Sequence, residues 1–473
     1  SSGFFIAKSA HLSNTININF KKPLDYQNAS GTEWTLIGIP VAGETVDDLE
    51  AQNVLATNTV GGVNKIGLGT FNNATGAWTT FDSGSTDALT QMKGYHVTPS
   101  GFGETIEIEG TLLTSNGYNT IQVNIESGTH GNWAIVGNPF PSYLRMTDDA
   151  TGVDNGVTTS DFLSDNIGSS VDDSSFAAVY AWDGEQYVPY TQSTNSKNYI
   201  APGEGFFVYS VANGGEVSFT ENMQTSGQGV NFNDANIAPG GKPVSKNRIS
   251  RLELELSDNA IDQSDVTKFY FSDEDQVSKG LDPGYDAGQF FQGNNSRIFT
   301  RLVNDDEGTN FSIQALPYND LKDLVVPLGI TTESSSLELS VTENSIDDFY
   351  RIYLEDKLEN TIVELDQTID LNFEDDKSDG LGRFYLHFTD GMIPELPTDG
   401  DDFRIFKVSE SEIKLMGSPE TIYNAKIFDF SGRLIKEVVF KHKVNINDID
   451  NNGIKILTIE SSDEKITKKF NIR

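Results

Sequence analysis

The chain contains no cysteine. That excludes a thiolate nucleophile, a cysteine-ligated metal and any disulfide staple, so packing, ions or neighbouring subunits must stabilise the fold. Histidine is scarce: His11, His96, His130, His387 and His442 are all there are, and no two stand at H-x-x-x-H spacing. No G-x-S-x-G elbow and no glycine-rich phosphate loop occurs. No apolar run approaches the length of a membrane-spanning helix, so no membrane span is expected. Basic residues are few, 33 Lys or Arg against 70 Asp or Glu, for a formal net charge of −37. Phosphate backbones and anionic lipid surfaces would be repelled, which argues against nucleic acid or anionic lipid as a partner. Long helix-period segments are missing, and the opening residues do not read as a secretory leader. Residue 1 is therefore expected to lie inside a longer polypeptide.

What is present is β-forming sequence. Val, Ile, Thr, Tyr and Phe alternate with Asn, Ser, Asp and Gly over most of the 473 residues. The expectation is an all-β protein: tandem repeat β-domains, a jelly-roll or Ig-like β-sandwich, and a small C-terminal Ig-like β-sandwich. The boundaries read as 1–113 and 114–225 for two repeats, 226–247 for a Gly-, Asn- and Pro-rich linker, and 248–392 for an acidic sandwich. An acidic, Pro-containing linker at 393–402 and a tail at 403–473 complete the division. The linker is expected to hold the tail off the sandwich.

The repeat rests on paired motifs. Trp34-Thr-Leu-Ile-Gly-Ile-Pro40 matches Trp133-Ala-Ile-Val-Gly-Asn-Pro139. An alternating strand precedes each, Thr15–Phe20 or Thr120–Ile125. An aromatic hairpin follows each: Phe71, Trp78 and Phe81 around Asn72–Gly76, then Trp182, Tyr187 and Tyr190 around Asp183-Gly184. Gly94-Tyr-His-Val97 and Gly205-Phe-Phe-Val208 close the copies, and Gly3-Phe-Phe-Ile6 reads as the close of an earlier one. Within the motif the indole anchors a sheet, Gly admits a close backbone or ring, and Pro ends the ladder. Most of Trp34, Trp133, Phe206 and Phe207 are expected in the core. Trp78, Trp182, Tyr187 and Tyr190 are the candidates for an exposed platform on which sugar rings could stack.

The acidic sandwich shows strands at Arg251–Leu256, Val266–Phe271, Ser296–Thr300, Phe311–Leu316, Leu337–Val341, Tyr350–Leu354 and Arg383–Phe388, with a short helical turn expected at Ser345–Phe349. Its loops carry clustered carboxylates. Asp273, Asp275, Asp282 and Asp286 bracket one of them and form a candidate Ca2+ site, since calcium takes six to eight oxygen ligands. No catalytic constellation stands out and no enzyme is expected. His96 and His387 alternate with strand hydrophobics and read as core or half-buried.

The tail breaks the charge pattern. It holds 13 basic and 10 acidic residues, against 20 basic and 60 acidic before it. It reads Ile427-Phe-Asp-Phe-Ser-Gly-Arg-Leu-Ile435, then Val444-Asn-Ile-Asn-Asp-Ile-Asp450, then Gly453-Ile-Lys-Ile456, and ends Lys468-Lys-Phe-Asn-Ile-Arg473. This segment resembles the C-terminal sorting domain of type IX secretion cargo in Bacteroidetes, with Lys455 where tyrosine is usual. The resemblance implies an Ig-like sandwich that serves as an export address, with Asp429, Gly432, Arg433, Gly453, Lys468 and Lys469 as signal residues. The Trp-x-x-x-Gly-x-Pro copies resemble repeats found ahead of such domains in flavobacterial surface proteins. The implied partners are the type IX translocon and its sorting-domain receptor, and the implied location is the outer cell surface or the medium. The expected role is structural or adhesive, with surface glycans or other protein subunits as partners, in the C-terminal part of a larger adhesin or filament-like protein. The alternative is a carbohydrate-binding module of a polysaccharide-utilising system.

Overall fold

The computed structural model describes residues 16–24, 34–101, 105–112, 118–123, 132–148, 151–154, 157–167, 174–183, 186–193, 199–210, 215–226, 249–273, 276–291, 295–366, 368–373, 379–390, 404–409, 411–417, 421–449, 454–462 and 465–471. The fold is all-β, with 59% of residues in strands and 6% in helices. Among the described residues no helix is long and apolar enough to cross a membrane. The chain divides into two compact units. One comprises 1–248 together with 282–293, and the other 249–281 with 294–473.

In the first unit the two sequence copies use the same strand register. Thr35–Gly38 pairs antiparallel with Gly94–Val97, placing Ile37 opposite Tyr95 and Gly38 opposite Gly94. Trp133–Gly137 pairs likewise with Gly205–Tyr209, Val136 opposite Phe206 and Gly137 opposite Gly205. The aromatic hairpins also correspond, Phe71 opposite Trp78 and Trp182 opposite Tyr187. The copies then cross over. Gly38 N donates to Gly203 O at 2.9 Å and Gly137 N to Met92 O at 2.8 Å. Gly203 and Met92 occupy equivalent positions with φ of 65° and 67°. Isolated bridges join Ile37 to Glu204 and Lys93 to Val136.

This crossing explains the motif glycine. A Cβ on Gly38 would lie 2.7 Å from the Cα of Gly137, and a Cβ on Gly137 would lie 2.3 Å from the Cα of Gly38. Only hydrogen-sized side chains allow two main chains so close. Lys22 and Glu204, both buried, add an ion pair of 2.5 Å between the copies. Each copy nevertheless keeps its own apolar core, Ile37, Leu68, Val97 and Ile108 in the first and Val136, Leu144, Phe206 and Phe219 in the second.

In the second unit one continuous sheet folds over a single core. Its strands run in the order Thr361–Glu364, Arg351–Asp356, Asp379–Thr389, Asp323–Thr331, Arg297–Thr300, Phe311–Pro317, Gln263–Ser272, Ile249–Asp258, Ser336–Asn344 and Ile369–Asn372. Ile249–Asp258 alternates strictly between half-buried and buried, the period-two signature of a strand with one face in the core. Leu252, Leu254, Phe269 and Leu339 meet Val326, Leu354, Phe384 and Leu386 there. The expected helical turn at Ser345–Phe349 is instead a hydrogen-bonded turn, with Tyr350 N donating to Asp347 O at 2.9 Å.

The tail forms two antiparallel sheets, Arg404–Ser409, Glu412–Met416 and Lys443–Ile446 in one, Leu434–Lys441, Ile422–Asp429, Ile454–Glu460 and Lys465–Asn471 in the other. Ile413, Leu415, Ala425, Ile427 and Leu457 fill the space between them. The expected linker at 393–402 lies outside the described residues. The tail is not held off the sandwich as expected. Met416 packs with Phe299, Leu381 and Tyr385, and the buried Lys414 ammonium donates to Leu381 O at 2.8 Å. A buried cation needs such an acceptor, and the sandwich strand supplies it.

Candidate functional site

Of the four hairpin aromatics expected to be exposed, Trp78, Trp182 and Tyr187 are half-buried and Tyr190 is buried. His96 is stacked between two indoles, its ring centroid 3.8 Å from Trp34 and 4.0 Å from Trp78, with interplanar angles of 20° and 11°. Burial pushes the imidazole down to about 3, so it is neutral at physiological pH. Its Nε2 is buried without a hydrogen-bond partner. Trp78 is half-buried and hydrogen-bonds the Tyr187 hydroxyl, whose pKa burial raises. Tyr190 is not exposed: it keeps only 4% of its surface and belongs to the second copy's core. Trp182 is half-buried against Tyr187, its indole N–H unpartnered. Trp133, Phe206 and Phe207 are core as expected, whereas Trp34 is half-buried.

The two copies fill their ring slots differently. In the first, His96 of the closing strand enters the slot between Trp34 and Trp78. In the second, the corresponding Phe207 leaves that position to Phe290, which lies 4.5 Å from Trp133 and 4.4 Å from Tyr187. Phe290 belongs to the segment 282–293, which rejoins the first unit after two strands of the second. Its ring is 2% exposed.

Asp273 belongs to the second unit, Asp282 and Asp286 to the first, and Asp275 lies outside the described residues. Asp286 is fully buried and its carboxylate accepts from Asp282 N at 2.8 Å, shaping the turn that carries both. Among the described residues no three His, Asp or Glu side chains converge in a way that could hold a metal ion.

In the tail, Asp429 organises the turn between Ile422–Asp429 and Leu434–Lys441. Its carboxylate accepts from Ser431 N at 2.9 Å, Ser431 Oγ at 2.6 Å, Arg433 N at 3.0 Å and Arg433 Nε at 3.0 Å. Those donors, led by the Ser431 hydroxyl, hold it down to about 2. Gly432 takes φ of +84°, which a β-carbon would strain. Phe430 stands at the tip, 82% exposed. Gly453 and the side chain of Lys468 lie outside the described residues, and Lys469 is exposed.

One site was not anticipated. Strands Asn17–Pro23, Thr105–Leu112 and Val41–Ala42 form a sheet beside helix Val46–Gln52. Thr45 caps the helix by accepting from Asp48 N, and Asp47 and Asp48 occupy its first turn. Asn53 ties the helix to the sheet, donating to Leu49 O and Glu107 O at 2.8 Å and accepting from Glu107 N at 2.7 Å. Between them lies a cleft of about 570 Å³ lined by Asn17, Asn19, Glu44, Asp48, Gln52, Glu109 and Thr111 among others. Glu44 is 2% exposed. One carboxylate oxygen accepts from Glu109 N at 3.1 Å, and the Gln52 side chain lies within hydrogen-bonding reach of the carboxylate. Burial, aided by Asp48 and Glu109, pushes the Glu44 carboxyl up to about 7. No basic side chain lines the cleft.

No curated protein matches the chain. Residues 4–388 match the model of a family described as a domain of unknown function, DUF8693, and the chain belongs to that family.

Proposed function

We propose that the chain is a structural or adhesive protein of the outer cell surface, exported by the type IX system through its tail and without catalytic activity of its own. The observation that carries this reading is the Asp429 turn. The residues of the D-x-x-G-R block form one hydrogen-bonded unit, presented with an exposed Phe430 on a seven-strand, two-sheet tail. A compact, rigid turn on a small sandwich suits an address read by a receptor. The structural role draws support from the first unit, where Phe71 packs on Trp78 and Trp182 on Tyr187 across the hairpins, contacts that stiffen a stalk.

The test is export of the full chain, placed behind a secretory leader, from a bacterium with a working type IX translocon and from one lacking it. The expected result is arrival at the surface or in the medium that requires both the translocon and residues 403–473. Asp429→Ala should lower export at least several-fold while leaving the protein folded. Export that ignores loss of the tail would sink the reading.

A further inference from the structure

We propose that the chain cuts itself at the peptide bond between Asp282 and Pro283, in a single-turnover reaction that consumes only water. The argument is independent of the export reading. An aspartate side chain can reach its own main-chain carbonyl carbon and close a five-membered ring, an attack favoured by proximity. A following proline makes the bond a tertiary amide whose nitrogen carries no hydrogen. Asp282-Pro283 is the only Asp-Pro pair in the sequence. The Asp282 carbonyl oxygen accepts from Tyr285 N at 3.0 Å and from Asp286 N at 2.9 Å. Two N–H donors on one carbonyl oxygen stabilise the charge that gathers there as the carbon becomes tetrahedral. Both sides of the bond are held in place. On the acyl side the Asp286 carboxylate accepts from Asp282 N at 2.8 Å. On the amine side Gly284 O accepts from Gln192 N at 2.7 Å, and Gly284, with φ of 82°, makes room for the Ile167 side chain. Asp282 is buried whereas Pro283 is exposed, so the attacking carboxyl is shielded from water and the departing amine is not.

The step balances as follows. A carboxyl oxygen of Asp282 bonds to the carbonyl carbon of the same residue, the bond to the Pro283 nitrogen breaks, and the carboxyl proton passes to that nitrogen. The products are a cyclic anhydride at residue 282 and a free secondary amine at residue 283. One water then opens the anhydride to a C-terminal aspartic acid, and nothing is oxidised or reduced. The cut does not release either piece. Piece 1–282 keeps strands Ile249–Asp258 and Gln263–Ser272, which stand between Phe311–Pro317 and Ser336–Asn344 in the second unit's sheet. Piece 283–473 keeps Phe290 against Trp133 in the first unit, and Gly288 O, which accepts from the Tyr180 hydroxyl at 2.9 Å. Each piece completes a unit of the other, so the cut chain stays one assembled molecule.

The test is prolonged incubation of the purified full chain in neutral buffer, followed by intact-mass spectrometry and N-terminal sequencing. The expected result is two pieces whose masses sum to that of the parent plus one water, the second beginning at Pro283. They should separate on a denaturing gel and elute together under native conditions. The same chain unfolded in urea at the same pH should be cut at least roughly tenfold more slowly, because the two donors on the carbonyl are lost. Asp282→Asn keeps the size of the side chain and removes the acid, while Pro283→Ala keeps the acid and restores an ordinary amide. Each should slow the cut at least roughly tenfold with an unchanged circular dichroism spectrum. An uncut native chain, a cut equally fast in urea, or an undiminished cut in either variant overturns the proposal.

Discussion

Glu44 and His96 are two buried ionisable groups of the first repeat copy, each neutralised by burial and pulling stability in opposite directions with pH. Glu44 rises from 4.5 to about 7 on folding, so the folded state holds a proton that the unfolded chain has lost. Stability from that proton is complete below pH 4.5 and disappears as pH rises through 7. His96 falls from 6.5 to about 3, so its contribution is complete above 6.5 and disappears as pH falls. Between 4.5 and 6.5 both states bind one proton at this pair, and the slopes cancel. Glu44→Gln removes one side of the balance. The variant should be more stable than the parent at pH 8, by on the order of 2–3 kcal/mol. It should begin losing stability to acid near pH 6.5, about two units earlier than the parent's loss at this pair. Urea titrations across pH 4–8 read both effects, and parallel profiles for parent and variant would refute the assignment of Glu44.

At the scale of elements, the copies depend on a main-chain contact that no larger residue tolerates. Gly38→Ala or Gly137→Ala should cost about 2–3 kcal/mol or more, because the new methyl meets backbone rather than a flexible side chain. Chemical denaturation measures the loss; a change below about 0.5 kcal/mol would show that the copies can separate without cost. This contact was partly legible. The Trp-x-x-x-Gly-x-Pro spacing marked a glycine needed for close approach, yet nothing local said that its neighbour is the same glycine of the other copy. The strand at Arg251–Leu256 was readable from its alternation. Asp323–Thr331 was not, because Pro327 normally ends a ladder. The sheet accommodates it beside a register shift at Leu328 and Ile330, and its carbonyl accepts from Arg301 N and Thr300 Oγ1, both at 3.2 Å. The cleft escaped for a related reason. Glu44 is buried by strands some 27 residues before and 65 after it, so its sequence neighbours, Gly43 and Thr45, carry no sign of its burial. The aromatic residues were recognisable as packing groups, but the partner that covers the second copy, Phe290, stands about 80 residues past that copy's closing strand.

At the scale of the whole molecule, the path of the chain makes the first unit incomplete as a continuous piece. A fragment ending at residue 248 lacks segment 282–293 and its Phe290. Phe290→Ala in the full chain should cost about 3–5 kcal/mol. Phe430→Ala, at a position 82% exposed, should cost almost nothing and serves as the control. The fragment should melt below the first transition of the full chain, and a synthetic peptide of residues 282–293 added in excess should raise its melting temperature. No rise on adding the peptide would mean that the aromatic slot closes without Phe290.

The crosswise bonds between Gly38, Gly203, Gly137 and Met92 also bear on how such chains lengthen. A copy standing alone would present two unmatched amide groups and a naked glycine edge where its twin now lies. Duplication of a single copy would thus create an adhesive defect, whereas duplication of the pair would not. Chains assembled from these modules are expected to carry even numbers of copies, and an odd copy to recruit a mate from a neighbouring chain.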